Sequence, residues 1–209
     1  MIGIYGGTFD PIHYGHLRTA LEVKEGAGMD EIRFVPCRLP PHRAEPEADP
    51  ALRLKMLELA LHDAEPGFSI DTRELDRQGP SYMVETLASF RTEIGNRPLC
   101  LIAGLDAVNG FPRWHRWREL FELAHIVVMR RPGTAPDFTG DLAQYVAERS
   151  AEHAAALSLR PHGSIHFVDV TQLDISATRI RETVRSGKSA RYLIPEPVLR
   201  FIESKRLYR

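Results

Sequence analysis

The chain has 209 residues, with 27 Lys and Arg against 28 Asp and Glu, and 43% of its residues are hydrophobic. These proportions are typical of a soluble globular protein and exclude a disordered chain, a collagen and a coiled coil. No apolar run approaches the roughly 20 residues of a membrane-spanning helix, and the first ten residues show no secretory signal. We therefore expect a cytoplasmic protein without a membrane partner, and the two distant cysteines, Cys37 and Cys100, favour the same reducing compartment.

Six short apolar runs predict β-strands, and helical patterns separate them. The strands are predicted at residues 1–5, 31–36, 68–71, 99–103, 125–129 and 164–168. Helices are predicted at 16–25, 50–64, 81–94, 117–123 and 142–159, and two more helices follow residue 175. This alternation predicts an α/β fold with a Rossmann-like, doubly wound parallel sheet, whose ligand crevice lies at the carboxyl ends of the strands. We expect one domain over residues 1–209, with the sheet core in 1–175 and a small helical part in 176–209.

The net charge of −1 is unevenly distributed along the chain. Residues 176–209 carry nine Lys and Arg against three Asp and Glu, a balance of +6, which leaves −7 for residues 1–175. No RRM, KH or zinc-finger pattern accompanies the basic end, so we expect small anions and no nucleic acid as partners. Arg179, Arg181 and Arg185 are predicted to face such an anion, and the basic residues from Arg200 onward are predicted to be solvated.

A glycine-rich segment follows the first predicted strand and leads into a helix. Gly6 and Gly7 permit a close approach of the backbone, and the helix start offers unpaired N–H groups to an anion. His13 and His16 lie three positions apart, so both imidazoles face one side of the helix. A zinc protease site would need a four-residue spacing and an adjacent Glu, so we predict phosphate binding and no metal held by side chains. A helix cap and one solvated His remain the alternative for this pair.

The segment GGTFDPIHYGH, residues 6–16, resembles the signature of the nucleotidylyltransferase superfamily, and Ser176, Thr178 and Arg181 match the second half of that signature, SxTxxR. The resemblance implies direct in-line attack on the α-phosphate of ATP, without a covalent enzyme intermediate. It also implies Mg²⁺, held mainly by the ATP phosphates. The implied catalytic residues are His13, His16 and Arg181. The resemblance implies that these three also bind ATP, together with Gly6, Gly7, Thr8, Phe9, Gly104, Asp106, Ser176 and Thr178.

The rest of the chain is similar to the bacterial nicotinate-nucleotide adenylyltransferases. The matching stretches are LPPHR at 39–43, GPSY at 79–82, AGLDA and FPRW within 103–114, VVMRRPG at 127–133, and the last 17 residues. The resemblance implies transfer of AMP from ATP to nicotinate mononucleotide, giving nicotinate adenine dinucleotide and pyrophosphate in NAD biosynthesis. The acceptor residues that it implies are His42, Arg43 and Arg131 for the phosphate, the backbone of Tyr82 and Met83 for the ring carboxylate, and Trp114 for the ring.

Two positions depart from the pattern of that family. Met83 stands where the family commonly has Thr, and Cys37 where it often has Asn. If backbone N–H groups recognise the carboxylate, Met83 costs little; if a hydroxyl is required, the preference for nicotinate over nicotinamide stays open. The alternatives are adenylyl or cytidylyl transfer to another phosphorylated acceptor, such as pantetheine phosphate or nicotinamide mononucleotide, and a nucleotide sensor without catalysis. A homo-oligomer is compatible with the sequence.

Overall fold

The computed structural model describes residues 1–41, 45–130, 136–171 and 173–209, and its centre is a six-stranded parallel sheet. The strands are β1 (Ile2–Gly7), β2 (Glu31–Pro36), β3 (Phe68–Ile70), β4 (Leu99–Gly104), β5 (His125–Arg130) and β6 (Ile165–Asp169). All six predicted strands are confirmed. Their order is β3-β2-β1-β4-β5-β6, so the direction of winding reverses between β1 and β4. In a doubly wound sheet this reversal places the ligand crevice at the carboxyl ends of those two strands.

Helices connect the strands and follow the last one. They are α1 (Tyr14–Gly26), α2 (Pro50–Leu61), α3 (Arg73–Asp76), α4 (Met83–Ile94), α5 (Leu105–Asn109), α6 (Leu120–Leu123), α7 (Gly140–Arg149), α8 (Ala177–Arg185) and α9 (Glu196–Lys205). Short 3₁₀ turns lie at Phe111–Arg113, Trp117–Glu119 and Ala154–Leu159. The start of α2 shows why the helices begin where they do: the Asp49 side chain accepts a hydrogen bond from the backbone N–H of Leu52, and Pro50 occupies the first turn.

The prediction of one helix over residues 142–159 was wrong. Helix α7 ends at Arg149, because Ser150 is extended and forms a bridge with Ile165 of β6. The backbone N–H of Ala151 also donates to Ile165 O at 2.7 Å. The apolar pattern continues through this interruption, which only pairing with a distant strand reveals. Helices α3 and α5 were not predicted, since four or five residues are too few to show helical periodicity.

The helices cover both faces of the sheet, as a doubly wound fold requires. On one face the buried cluster includes Ile32 of β2, Val23 of α1 and Leu57 of α2, and on the other it includes Ile4 of β1 and Leu87 of α4. Helix α9 packs on α2, which brings the end of the chain back to the first of these layers. No helix in the described ranges combines the length and the apolar character that crossing a membrane needs.

Candidate active site

Two adjoining cavities lie at the carboxyl edge of the sheet. The large cleft has a volume of about 920 Å³ and the small cavity one of about 400 Å³. Both volumes fall within the usual range for small-molecule sites. A shared wall separates them, and its residues line both: Tyr5, His16, Gly104, Asp106 and Met129. Ligands in the two cavities would therefore both border these five residues.

The structure brings most of the predicted site residues to these two cavities. The large cleft is lined, among others, by Gly6, Gly7, Thr8, Phe9, Tyr82, Met83, Trp114, Thr178 and Arg181. His13 lines the small cavity, and His16, Gly104 and Asp106 belong to the shared wall. Ser176 lines neither cavity; its hydroxyl accepts from the backbone N–H of Arg179 and caps α8. His42, Arg43 and Arg131 lie outside the described residues.

The two glycines at the end of β1, Gly6 and Gly7, are required because there is no space for a side chain at either position. Neither Gly6 nor Gly7 has a positive φ; in this loop Phe9 has one, of 49°. A Cβ on Gly7 would lie 2.8 Å from the Phe9 ring, and a Cβ on Gly6 would lie 2.5 Å from Cε of Met83. Met83 therefore packs against the end of β1, and a flexible apolar side chain forms the wall of the cleft at that point.

The two histidine rings stack on each other, with centroids 3.7 Å apart and planes inclined by 28°. The prediction that both imidazoles share one side is confirmed. Gly15 makes this possible, because a Cβ there would lie 2.9 Å from Cε1 and Nδ1 of His13. The backbone N–H of His13 donates to Nδ1 of His16 at 3.3 Å, so a neutral His16 carries its proton on Nε2.

His13 is buried, with 6% of its surface exposed. Burial lowers its pKa to about 4, so the ring is neutral at pH 7. Its Nδ1 has no hydrogen-bond partner among the described residues. A buried polar atom without a partner is costly, and such atoms are uncommon away from functional sites. The ring is therefore a buried group beside the small cavity, and the solvated alternative does not hold for it.

Arg181 reaches the large cleft from the second turn of α8. Its Nη1 donates to the backbone oxygen of Asp10 at 2.8 Å, and its Nε donates to Glu47 at 2.9 Å. Arg185 and Arg179, which were predicted to face the same anion, line neither cavity: Arg185 pairs with Glu47, and Arg179 pairs with Asp174. Of the basic residues after position 175 in the described part of the chain, Arg181 alone lines the site.

Asp10 is a residue of the site that the sequence analysis missed. Its buried carboxylate accepts from the backbone N–H of Glu47 at 2.8 Å, from that of Ala48 at 3.3 Å and from the Tyr208 hydroxyl at 2.6 Å. Burial and the bond to this carboxylate raise the pKa of Tyr208. Asp10 thus ties the loop after β1 to the segment before α2 and to the end of the chain. Two features of the sequence could have pointed to this contact: Asp10 lies inside the first signature, and Tyr208 belongs to the Leu-Tyr pair at the end of the chain.

The two tryptophans of the chain lie in different environments, one on the cleft and one in the core. Trp114 is half-buried and lines the cleft beside Phe111, whereas Trp117 is 6% exposed and packs against Phe121 and Tyr145 in the core. Trp114 therefore forms part of the cleft wall, and Trp117 is structural.

The start of α4 differs in one detail from the prediction. The backbone N–H of Tyr82 donates to Pro80 O at 3.1 Å, so this group is already engaged. No side chain caps α4, and the N–H groups of Met83 and Val84 have no partner among the described residues. These two N–H groups, at the positive end of the helix, can receive an anion.

Comparison with known proteins agrees with this geometry. The sequence pattern of the cytidylyltransferase-like family matches residues 4–183. The chain is 58% identical to a Methylococcus capsulatus protein named "Probable nicotinate-nucleotide adenylyltransferase", covering 100% of this chain and 99% of that one. It is 52% identical to a Halorhodospira halophila protein of the same name, over 94% and 90% of the two chains.

A solved structure, the Plasmodium falciparum nicotinic acid mononucleotide adenylyltransferase complexed with NaAD, has the same fold. The TM-score is 0.72 at 15% identity, over 99% of this chain and 96% of that one. The family match and the relatives that cover the whole length carry the assignment. The chain belongs to the cytidylyltransferase-like family and, within it, to the nicotinate-nucleotide adenylyltransferases.

Proposed function

We propose that the protein transfers the AMP group of ATP to nicotinate mononucleotide, forming nicotinate adenine dinucleotide and releasing pyrophosphate. The observation that carries this proposal is the shared wall at His16, Gly104 and Asp106. Two nucleotides that bind on either side of this wall would bring their phosphates to one place. The names of the relatives, which are nicotinate-nucleotide adenylyltransferases, supply the identity of the acceptor.

ATP binds with its nucleoside part in the small cavity and its triphosphate towards the large cleft. His13 and His16 then lie beside the α-phosphate, while Thr178 and Arg181 lie on the leaving-group side. Nε2–H of His16 donates to the phosphate, and the Arg181 guanidinium neutralises charge on the departing pyrophosphate. Both roles need donors held in place, and neither needs a nucleophilic side chain.

Nicotinate mononucleotide binds in the large cleft. Its flat ring packs on Trp114, and its ring carboxylate accepts from the N–H groups at the start of α4. An oxygen of its phosphate attacks the α-phosphorus of ATP in line, a new P–O bond forms, and the bond to pyrophosphate breaks. The protein contributes alignment of two mutually repelling anions and stabilisation of the charge that develops between them.

We propose Mg²⁺ as the cofactor. No group of three or more His, Cys, Asp or Glu side chains that could hold a metal lies in the described ranges. We therefore propose that phosphate oxygens and water hold the ion, because Mg²⁺ bound in this way needs few protein ligands. Bound in that way, Mg²⁺ would neutralise part of the triphosphate charge. We also propose a cytoplasmic location, where ATP is available and where the thiols of Cys37 and Cys100 stay reduced.

An acceptor panel tests the proposed function. The protein is incubated with ATP, Mg²⁺ and one acceptor at a time, and pyrophosphate release is measured with nicotinate mononucleotide, nicotinamide mononucleotide and pantetheine phosphate. We expect the highest kcat/KM with nicotinate mononucleotide. Turnover confined to another acceptor would contradict the proposal. The variant His16→Ala distinguishes an enzyme from a nucleotide sensor, because a folded variant of an enzyme should lose most of its turnover.

A further inference from the structure

Arg53 of α2 is fully buried, yet it bonds to no carboxylate among the described residues. Its guanidinium donates to four backbone oxygens: Thr8 O at 2.7 Å, Cys37 O at 2.7 Å, Ala48 O at 3.1 Å and Arg38 O at 3.2 Å. A buried cation is costly unless its donors are satisfied, and here carbonyl dipoles satisfy them. Because burial of a guanidinium costs free energy, we expect Arg53 to have a role beyond the packing of α2.

The four oxygens belong to three separate segments of the chain. Thr8 lies in the loop after β1, Cys37 and Arg38 follow β2, and Ala48 precedes α2. A single nitrogen, Nη1, donates to the backbone oxygens of both Thr8 and Cys37, and both residues line the large cleft. The guanidinium therefore sets the distance between two walls of the cleft. Only Arg offers a planar fork of five N–H donors for such a task, since Lys has a single flexible ammonium group.

The bond to Thr8 also orients the peptide that carries the next residue. In a trans peptide the C=O and the N–H point in opposite directions, so the N–H of Phe9 points away from Arg53. Phe9 itself has φ of 49°, a conformation that is unfavourable for a residue with a side chain. Strained residues persist where their surroundings hold them, and they cluster at functional sites. Arg53 is one of the groups that hold this turn.

We propose that Arg53 is a positioning residue for adenylyl transfer: by fixing the loop after β1 to the loop after β2, it aligns the two anionic substrates. The inference rests on the proposed function. In-line attack requires reacting atoms about 3–3.5 Å apart, and a misplacement of about 1 Å can cost roughly 100-fold in rate. Arg53 touches neither reacting group, so it acts through the backbone of its partners.

Arg91 of α4 provides a matched control, because it has the same chemistry at a different place. It also donates to four backbone oxygens and to no carboxylate in the described part of the chain; these are the oxygens of Leu123, Gly95, Arg97 and Pro161. These carbonyls lie at or before the amino ends of strands, on the edge of the sheet opposite the cleft, and Arg91 lines neither cavity. Loss of the Arg91 guanidinium should therefore lower the stability of the protein and leave kcat unchanged.

The test compares Arg53→Lys with Arg91→Lys in the full chain. Unfolding temperatures are measured first by circular dichroism, and kcat and KM for both substrates are then measured well below the lower of the two. We expect both variants to unfold at a lower temperature than the original protein. Only Arg53→Lys should lose kcat, by about tenfold or more, because the substrates are no longer aligned although the positive charge remains. A folded Arg53→Lys with the kcat of the original protein would overturn the proposal, and so would an equal loss in Arg91→Lys.

A second measurement needs no folded Arg53 variant. In the unaltered protein labelled with ¹⁵N-arginine, we expect the Nε–H signal of Arg53 to shift when nicotinate adenine dinucleotide saturates the site, and that of Arg91 to stay. Arg91→Lys assigns the control signal by its disappearance. An Arg53 signal unmoved at saturation would overturn the proposal. Failure of the proposed function can be distinguished from failure of this proposal. In the first case the original protein would turn over a different acceptor, and Arg53→Lys and Arg91→Lys are then compared with that acceptor.

Discussion

Arg181 and Glu47 form an ion pair on the wall of the large cleft. Nε of Arg181 donates to Oε1 of Glu47 at 2.9 Å, and Arg185 donates to the other carboxylate oxygen at 2.6 Å. The cation that we assign to the leaving pyrophosphate is therefore already partnered by an anion of the protein. An incoming triphosphate must compete with Glu47 for this guanidinium.

This competition predicts the effect of Glu47→Gln. Removal of the carboxylate charge should lower the KM for ATP about two- to fivefold with kcat little changed, since a half-exposed ion pair is worth about 1 kcal/mol or less. Steady-state kinetics at varied ATP measure the effect. Glu196→Gln is the matched control, because Glu196 also pairs with two arginines, Arg191 and Arg200, away from both cavities. A raised KM in Glu47→Gln would show instead that Glu47 orients Arg181 for the phosphate.

The low pKa of His13 predicts a loss of stability in acid. The pKa is about 4 in the folded protein and about 6.5 when the chain is unfolded, so the unfolded state binds more protons between these values. The free energy of unfolding should therefore fall as the pH decreases from 7 towards 4, and burial of His125 adds in the same direction. For His13 we expect a loss of roughly 2 kcal/mol between pH 7.5 and 5.

Urea unfolding at pH 7.5 and 5 checks this expectation in the original protein and in His13→Gln. The variant should lose less stability between the two pH values. His62→Gln is the control, because the His62 side chain is 82% exposed and its removal should leave the slope unchanged. Equal pH dependence in the original protein and His13→Gln would contradict the assignment.

The close contact between Gly15 and the His13 ring predicts that one added methyl group at position 15 lowers kcat. In Gly15→Ala the new Cβ would lie 2.9 Å from the His13 ring and 3.4 Å from Ile175 O, so the stacked histidines must move. We expect kcat to fall by at least about tenfold, because the donors at the reacting phosphate are displaced, while circular dichroism still shows a folded protein. Gly26→Ala, at the other end of α1, should keep its activity, since its Cβ meets only Val168 Cγ1 at 3.2 Å. Equal activity in the two variants would be the contrary result.

The two tryptophans predict opposite outcomes. Trp114→Ala should raise the KM for nicotinate mononucleotide by about tenfold, since loss of an aromatic contact costs roughly 1–1.5 kcal/mol, and should change stability little. Trp117→Ala should lower the free energy of unfolding by about 3–5 kcal/mol, because a buried aromatic leaves a cavity in the core. Kinetics with varied acceptor and thermal unfolding measure the two effects. An unchanged KM in Trp114→Ala would remove the ring platform from the proposal.

Much of the fold followed from local pattern. Strands covered on both faces are nearly continuous apolar runs, so all six were visible in the sequence. The break between α7 and the turn at Ala154–Leu159 was not visible, because the bridge between Ser150 and Ile165 depends on a strand that is distant in sequence. That His13 and His16 face one side was predictable, since it depends on a three-residue spacing within one helix start.

The sequence by itself determined the strands, the common side of His13 and His16, and the family. Only the tertiary structure decided which charges are free and which are paired. Glu47 and Arg181 lie 134 positions apart, Asp10 and Tyr208 lie 198 apart, and the four oxygens around Arg53 come from three segments. Spacing along a chain cannot predict such contacts, because the order of the strands and the docking of α8 and α9 create them. The basic end thus contributes one cation, Arg181, to the site, and the positive balance of residues 176–209 does not reveal which one.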